Sequence, residues 1–188
     1  ISKFKNFNLN GFVAEKIVDF EKEISVICFR DYTGNIEYLP PVHNEHKNNI
    51  LKSTTYPPDI SLETKRKAIE YAKRITLKLK LIGILAVEMF VLKNGEVIIN
   101  ELAPRPHNSG HWSLDCCKIN QFENLLRAIS EQKVLAPQIL SGGIMKNLIG
   151  KEYQKKIISK KNIKIYDYFK KIIKEKRKMG HVTYIKKL

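Results

Sequence analysis

The chain has 188 residues, 43% of them hydrophobic, with 34 Lys and Arg against 19 Asp and Glu and a formal net charge of +15. That length holds one domain or one and a half and supplies a real core, while no run approaches the ~20 consecutive apolar residues of a membrane span and no secretory signal leads the chain. Lysine dominates the charge, the arginines being Arg30, Arg66, Arg74, Arg105, Arg127 and Arg177 in a background rich in Ile and Asn; this reads as compositional drift, since nucleic-acid surfaces usually add arginine forks and exposed aromatics.

In chain order, Gly11 to Asp19 reads as a strand and Lys22 to Arg30 as a second. Tyr32-Thr33-Gly34-Asn35 is a turn, and Ile36 to Leu39 begins a third strand that Pro40 and Pro41 close. His43 to Pro58 is polar and loop-like. Asp59 or Ser61 caps a helix running to about Leu81, with Ala68, Ile69, Ala72, Ile75 and Leu79 on one face. Two apolar strands follow, Ile84 to Leu92 and Glu96 to Leu102, then a helix over Asn120 to Gln132 with Phe122, Leu125, Leu126 and Ile129 as its stripe. Ala136-Pro137 marks a boundary between residues 1–135 and 136–188. Beyond it come a short strand, Ile144 to Ile149, and a lysine-rich segment, Lys155 to Lys178, interleaved with enough Ile, Tyr and Phe to fold. There is no internal repeat. Strands, helix, hairpin, helix give an α+β fold, an antiparallel sheet backed by helices.

The two apolar strands carry one acid each. Lys93-Asn94-Gly95 lies between them, and Asn-Gly favours a two-residue type I′ turn. With Asn94-Gly95 as the loop, Lys93 pairs with Glu96, and counting back sets Glu88 opposite Glu101 on one face, with Cβ atoms roughly 5 Å apart. Like charges so placed are destabilising without a partner, and a hard divalent cation is the obvious one. The plainer reading is an exposed hairpin face with two solvated acids. Immediately after comes Asn100-Glu101-Leu102-Ala103-Pro104-Arg105-Pro106-His107-Asn108-Ser109-Gly110-His111-Trp112. Two acids, then an arginine and two histidines, look like a site for a metal-bound polyphosphate. Two alternatives stay open. One is a basic nucleic-acid-binding domain, on charge alone. The other is a zinc site from His43, His46, His107 and His111, although both pairs sit in segments read as loops. Cys28, Cys116 and Cys117 have no metal-type spacing and read as reduced, mostly buried thiols, with adjacent Cys116 and Cys117 not expected to pair.

The segment Glu101 to Trp112, followed by Gln121 to Ile129, resembles the ATP-grasp enzymes of purine synthesis, the 5-(carboxyamino)imidazole ribonucleotide synthetase family. Phe20 to Val26, Pro41 to His46 and Arg177 to His181 add to the likeness, which runs over nearly the whole chain and matches the second half of that enzyme. It implies an ATP-grasp sheet with a small β-rich C-terminal domain: residues 1–135 would be the C-terminal part of the ATP-grasp domain. The family's N-terminal domain and first ATP-grasp subdomain are not in these residues. Since Ile1 also opens inside a polar segment, the chain is expected to be a fragment, binding ATP weakly and turning over negligibly alone. The reaction implied is ATP-dependent carboxylation of aminoimidazole ribonucleotide with bicarbonate through carboxyphosphate, in a cytoplasmic ligase that is a homodimer at full length, with no nucleic-acid or membrane partner.

Residue by residue, the resemblance makes Glu88 and Glu101 ligands of Mg²⁺ or Mn²⁺ on ATP. Arg105, His107 and Asn108 become catalytic, with Arg105 offering a planar fork to phosphate or carboxylate; outside the family it would pass for a surface arginine held by its neighbouring prolines. Glu15-Lys16-Ile17-Val18 matches the adenine-binding hinge, a strand edge offering backbone groups to the base. Glu23 matches the acid on the ribose hydroxyls, and His46 and Asn100 join the nucleotide set. His107, Asn108, Ser109 and His111 would line the carboxyphosphate and imidazole ribonucleotide site, around a glycine that lets backbone approach a ligand. Lys171, Arg177 and Lys178 would hold the ribonucleotide's 5′-phosphate. Here the chain departs from the family: Lys174-Glu175-Lys176-Arg177-Lys178 stands where Arg-Pro-Gly-Arg-Lys is common.

Overall fold

β-Branched and aromatic runs build most of the strands. The computed structural model describes Gly11 and residues 15–154 and 160–188, with no side-chain account of 154. Its strands are β1 (Lys22–Arg30), β2 (Ile36–Lys47), β3 (Ile50–Tyr56), β4 (Gly83–Val91), β5 (Val97–Ala103), β6 (Gly142–Ile149), β7 (Ile163–Asp167) and β8 (Lys178–Lys186). They form one eight-stranded sheet in the order β5-β4-β1-β2-β3-β6-β8-β7. Every neighbouring pair is antiparallel. The fold is therefore the α+β antiparallel sheet backed by helices.

Period-two alternation on β1 and β4 divides the core. Ile24, Val26, Cys28, Leu85, Val87 and Met89 pack under helix α1 (Leu62–Leu79), which presents Ala68 and Ala72. Ile27, Phe29, Ile84 and Ala86 face the other way, toward Trp112 and toward Ala128 of helix α3 (Gln121–Ile129). Ser25 and Glu88 share that second face. They pair directly across β1 and β4, so the sheet delivers both to the side where the loop after β5 folds back. Ser61 caps α1 by accepting from the Thr64 N–H at 3.0 Å. Asn120 caps α3, accepting from the N–H groups of Phe122 (2.9 Å) and Glu123 (3.1 Å). A single turn, α2 (Ser113–Cys116), lies between them. The three cysteines are free and buried; burial pushes the Cys28 thiol up to about 11 and the Cys117 thiol up to about 12.

Several expectations are corrected. No strand occupies 15–19. The ladder to β4 begins at Glu21, whose N–H donates to the Val91 carbonyl at 2.8 Å, and among the described residues no strand runs beside the residues before it; 12–14 lie outside the described residues. Pro40 and Pro41 do not end β2. A register shift between Ser25 and Ile27 places a bulge at the two prolines, where a missing N–H is tolerated. The segment read as a loop from His43 is the end of β2 and the whole of β3. Its hairpin turn is Asn48-Asn49, both left-handed (φ 52° and 59°), between paired Lys47 and Ile50. Asparagine tolerates that conformation through its short polar side chain. On α3, Gln121, Asn124 and Ala128 are the buried positions, while Leu126 and Ile129 are exposed.

Asp31, fully buried at the end of β1, accepts from the side chain and N–H of Thr33 (2.6 and 2.9 Å) and from the N–H groups of Asn35 and Val134 (both 3.1 Å). Burial alone would raise its pKa, but these bonds outweigh it and bring the carboxyl below 3.8. A depressed carboxyl contributes stability above its unfolded pKa of ~3.9 and loses it as pH falls through the folded value. Asp31→Ala should therefore cost about 1–3 kcal/mol at pH 7, a difference from wild type that shrinks on acidification below about pH 4. Chemical unfolding across pH measures it.

Candidate active site

The two acids meet, by a different route from the one the turn suggests. Leu92 N–H donates to the Glu96 carbonyl and Gly95 N–H to the Leu92 carbonyl, each at 2.9 Å, with Gly95 at φ 79°. The loop is thus three residues, Lys93-Asn94-Gly95, and the register beside it pairs Val91 with Val97. Continued unbroken, that register would put Asn100 opposite Glu88 and turn Glu101 to the α1 face. A bulge between Glu88 and Met89 absorbs one residue and restores Glu88 opposite Glu101.

The loop after β5 adds a third polar group. His107 Nε2 stands 3.0 Å from Glu88 Oε1. Ligand atoms of Glu88, Glu101 and His107 all lie within 4.8 Å of one another, the only such group of three among the described residues. Gln121 holds the loop: its Oε1 accepts from the His107 N–H and its Nε2 donates to the His107 carbonyl, both at 3.0 Å. Gly110 is needed for close approach, since a Cβ there would sit 2.5 Å from Ile27 Cδ1 and 2.6 Å from Gln121 Oε1. Asn108 Nδ2 donates to Asn147 Oδ1 of β6 at 3.1 Å, tying the loop to the C-terminal strands.

These groups open into a cleft of about 710 Å³. Glu23, Glu88 and Glu101 are its acids; Arg105, Lys170, Lys176, Arg177 and Lys178 are its cations. Glu23 Oε2 lies 2.8 Å from His46 Nδ1. Burial would raise the Glu88 pKa, but the hydrogen bond from His107, with the charges of His46 and Lys178 adding, brings it below 4.5. Burial pushes the Lys178 ammonium below 10.5 against the pull of Glu88, with Arg105 and Lys170 lowering it further. Facing charges of opposite sign in a half-buried cleft can hold a cation at one side and the anions it neutralises at the other.

Of the residues carried over by resemblance, Glu23, His46, Glu88, Asn100, Glu101, Arg105, His107, Asn108, Arg177 and Lys178 line this cleft. Others do not. Glu15, Lys16 and Ile17 are exposed and form no strand edge with Val18. Ser109 is fully buried beneath the loop, its hydroxyl on Ser25 Oγ at 2.7 Å. His111 points inward: Nδ1 lies 2.8 Å from Gln121 Nε2 and its ring is near His181 (centroids 5.0 Å). Burial first, with the charge of Lys178 adding, holds its pKa down to about 3. Lys171 is exposed and outside the cleft, and its neighbour Lys170 lines it instead, with Nζ donating to the Lys178 carbonyl at 2.6 Å. Sequence reading also missed Lys176 and, at the β2–β3 turn and the start of β3, Asn49, Ile50 and Leu51. The left-handed tolerance of Asn48-Asn49 was the available signal for the turn. His43 and His46 do not join His107 and His111 in any metal-binding group among the described residues, so the histidine zinc site is not supported.

A family model described as "ATP-grasp domain" matches residues 2–122, and one described as "Phosphoribosylaminoimidazole carboxylase C-terminal domain" matches residues 143–187. The chain belongs to the ATP-grasp family of ATP-using enzymes. It is similar to N5-carboxyaminoimidazole ribonucleotide synthase of Bacillus subtilis (strain 168), 41% identical over 179 residues that make up 93% of this chain and 47% of that protein. It also resembles a crystal structure of an ADP complex of N5-carboxyaminoimidazole ribonucleotide synthetase (40% identity, TM-score 0.85, 93% of this chain and 47% of that one). A third relative is the Aspergillus clavatus enzyme crystallised with ADP and 5-aminoimidazole ribonucleotide (31% identity, TM-score 0.84, 91% of this chain and 48% of that one). The chain spans about half the length of the curated relatives it matches. No helix among the described residues is long and apolar enough to cross a membrane.

The exchange of Lys171 for Lys170 can be measured. Binding of inorganic pyrophosphate, followed by calorimetry, should weaken roughly tenfold in Lys170→Ala, about the worth of one charged hydrogen bond, and stay unchanged in Lys171→Ala.

Proposed function

We propose that this chain carries the cation- and anion-binding half of a carbon–nitrogen ligase site that carboxylates 5-aminoimidazole ribonucleotide at the expense of ATP. Bicarbonate takes the γ-phosphoryl group to give carboxyphosphate and ADP; the carboxyl group then passes to the exocyclic amine of the ribonucleotide and phosphate leaves. The observation that carries this reading is the convergence of Glu88 and Glu101, on the face of the sheet that also holds the cationic wall. Support also comes from the relatives named above, whose structures were solved with ADP and with the ribonucleotide.

The donors fit a hard divalent cation: carboxylate oxygens side by side, with no thiolate near, suit Mg²⁺ or Mn²⁺. Such an ion, when bound, neutralises charge on the phosphate oxygens of ATP. Glu88 and Glu101 would hold it. Phosphoryl transfer asks the protein for position and charge more than for covalent help. Arg105 meets the phosphate or carboxylate oxygens with its planar fork, and Asn108 presents a side chain already held by Asn147. Glu23, close to His46, is placed for the ribose hydroxyls, with Asn100 beside it in the nucleotide set. Lys170, Arg177 and Lys178 take the 5′-phosphate of the ribonucleotide. Residues 15–18 remain the proposed adenine contact, through backbone groups that no ladder partner occupies among the described residues. In the same reading, residues 1–135 belong to the ATP-grasp domain and 136–188 to the small C-terminal domain, in a cytoplasmic, homodimeric full-length enzyme.

Mn²⁺ binding in the presence of ADP tests the reading. Glu88→Gln and Glu101→Gln should each weaken it tenfold or more, about 1.4 kcal/mol or above, with circular dichroism unchanged. Equal Mn²⁺ affinity in wild type and both variants would end the assignment.

A further inference from the structure

His107 looks like a third ligand for the cation, but the groups behind its ring say otherwise. A chain of buried polar side chains crosses the sheet toward it. Thr54 on β3 donates from Oγ1 to Asn44 Oδ1 on β2 at 2.9 Å. Asn44 Nδ2 donates to Ser25 Oγ on β1 at 3.0 Å. Ser25 Oγ donates to Ser109 Oγ at 2.7 Å, and Ser109 Oγ lies 2.8 Å from His107 Nδ1. Thr54, Asn44, Ser25 and Ser109 are exposed by 2% or less, so they satisfy one another rather than water.

Such a chain can run in either sense, because hydroxyls rotate and an amide can be turned over. One contact removes the choice. The backbone N–H of Ser109 also points at His107 Nδ1, at 3.3 Å. A backbone amide only donates. Hydrogen on Nδ1 would be set against that N–H, so Nδ1 accepts, and the Ser109 hydroxyl has room to donate to it as well. Every link behind then runs toward the ring, and the ring's hydrogen sits on Nε2, facing Glu88 Oε1 at 3.0 Å.

We infer that Thr54, Asn44, Ser25 and Ser109 hold His107 in the Nε2–H tautomer, making it a donor that orients the Glu88 carboxylate and not a ligand of the metal. Those four are positioning residues. Glu88 keeps its other oxygen for the cation, and the nitrogen that imidazole would lend a softer metal is capped by hydrogen, which favours an all-oxygen site. The part about the cation rests on the function proposed above; the tautomer does not.

The test is long-range ¹H–¹⁵N correlation of the histidine rings in ¹⁵N-histidine protein, without metal or nucleotide, with His107 assigned by loss of its signals in His107→Gln. A pyrrole-type Nε2 and a pyridine-type Nδ1 are expected. The reverse pattern, or an even mixture, overturns the inference without touching the proposed function. Ser25→Ala should raise the share of the Nδ1–H form about fivefold, the worth of one neutral hydrogen bond; a role confined to packing would leave that share unchanged. With Mn²⁺ added to the same labelled protein, pulsed electron paramagnetic resonance should show no directly bonded ¹⁵N. A bonded ¹⁵N would sink the inference while upholding the metal site, and Mn²⁺ that does not bind would count against the proposed function while the tautomer spectrum stands.

Discussion

Two carboxylates directly opposite each other on adjacent strands are an arrangement that sheets avoid unless something of opposite charge shares the space. Glu88 and Glu101 are held in that arrangement by backbone alone: the three-residue turn, the bulge and the ladder to β1 leave neither side chain another face to take. The surrounding polar structure answers this constraint. His107 is brought against Glu88 by the Gln121 clamp on its backbone. The cations of β8 and the loop before it stand across the cleft. The field they make keeps Glu88 ionised despite its burial, which is the state a cation needs.

Much of this was legible in the residues. The α+β class, the apolar hairpin, the Ser61 cap and the meeting of Glu88 with Glu101 all follow from short-range signals such as period-two alternation, a helix cap and an Asn-Gly pair. The hairpin is instructive, because its conclusion held while its derivation did not. Asn94-Gly95 suggested a two-residue loop; glycine took the left-handed position of a three-residue loop, and a bulge made up the difference. Nothing in the Ile98-Ile99-Asn100-Glu101 segment announces a bulge, since its position is set by which side chain the core accepts.

What was not legible depended on partners distant in the chain. β2 and β3 are polar along much of their length because their side chains, among them Asn44, Ser53 and Thr54, bond to one another across the sheet; a composition rule reads such residues as loop. The proline pair broke the expected strand for the same reason: only the register with β1 reveals that it occupies a bulge. On α3 the apolar stripe pointed to Leu126 and Ile129, yet the helix buries Gln121 and Asn124, which bond to the His107 loop and to Leu135. Lys170 and Lys171 are chemically equal neighbours, and only the course of the loop decides which one enters the cleft.

The ladder between β3 and β6 has a mechanical result. It joins the strands that carry the acids to those that carry Lys178 into one hydrogen-bonded lattice, with Asn108–Asn147 as a second tie across the seam. A hinge between residues 135 and 136 would have to tear that lattice. The gap between the acidic and basic walls is therefore set when the protein folds, and a ligand entering it meets charges whose spacing it does not have to create.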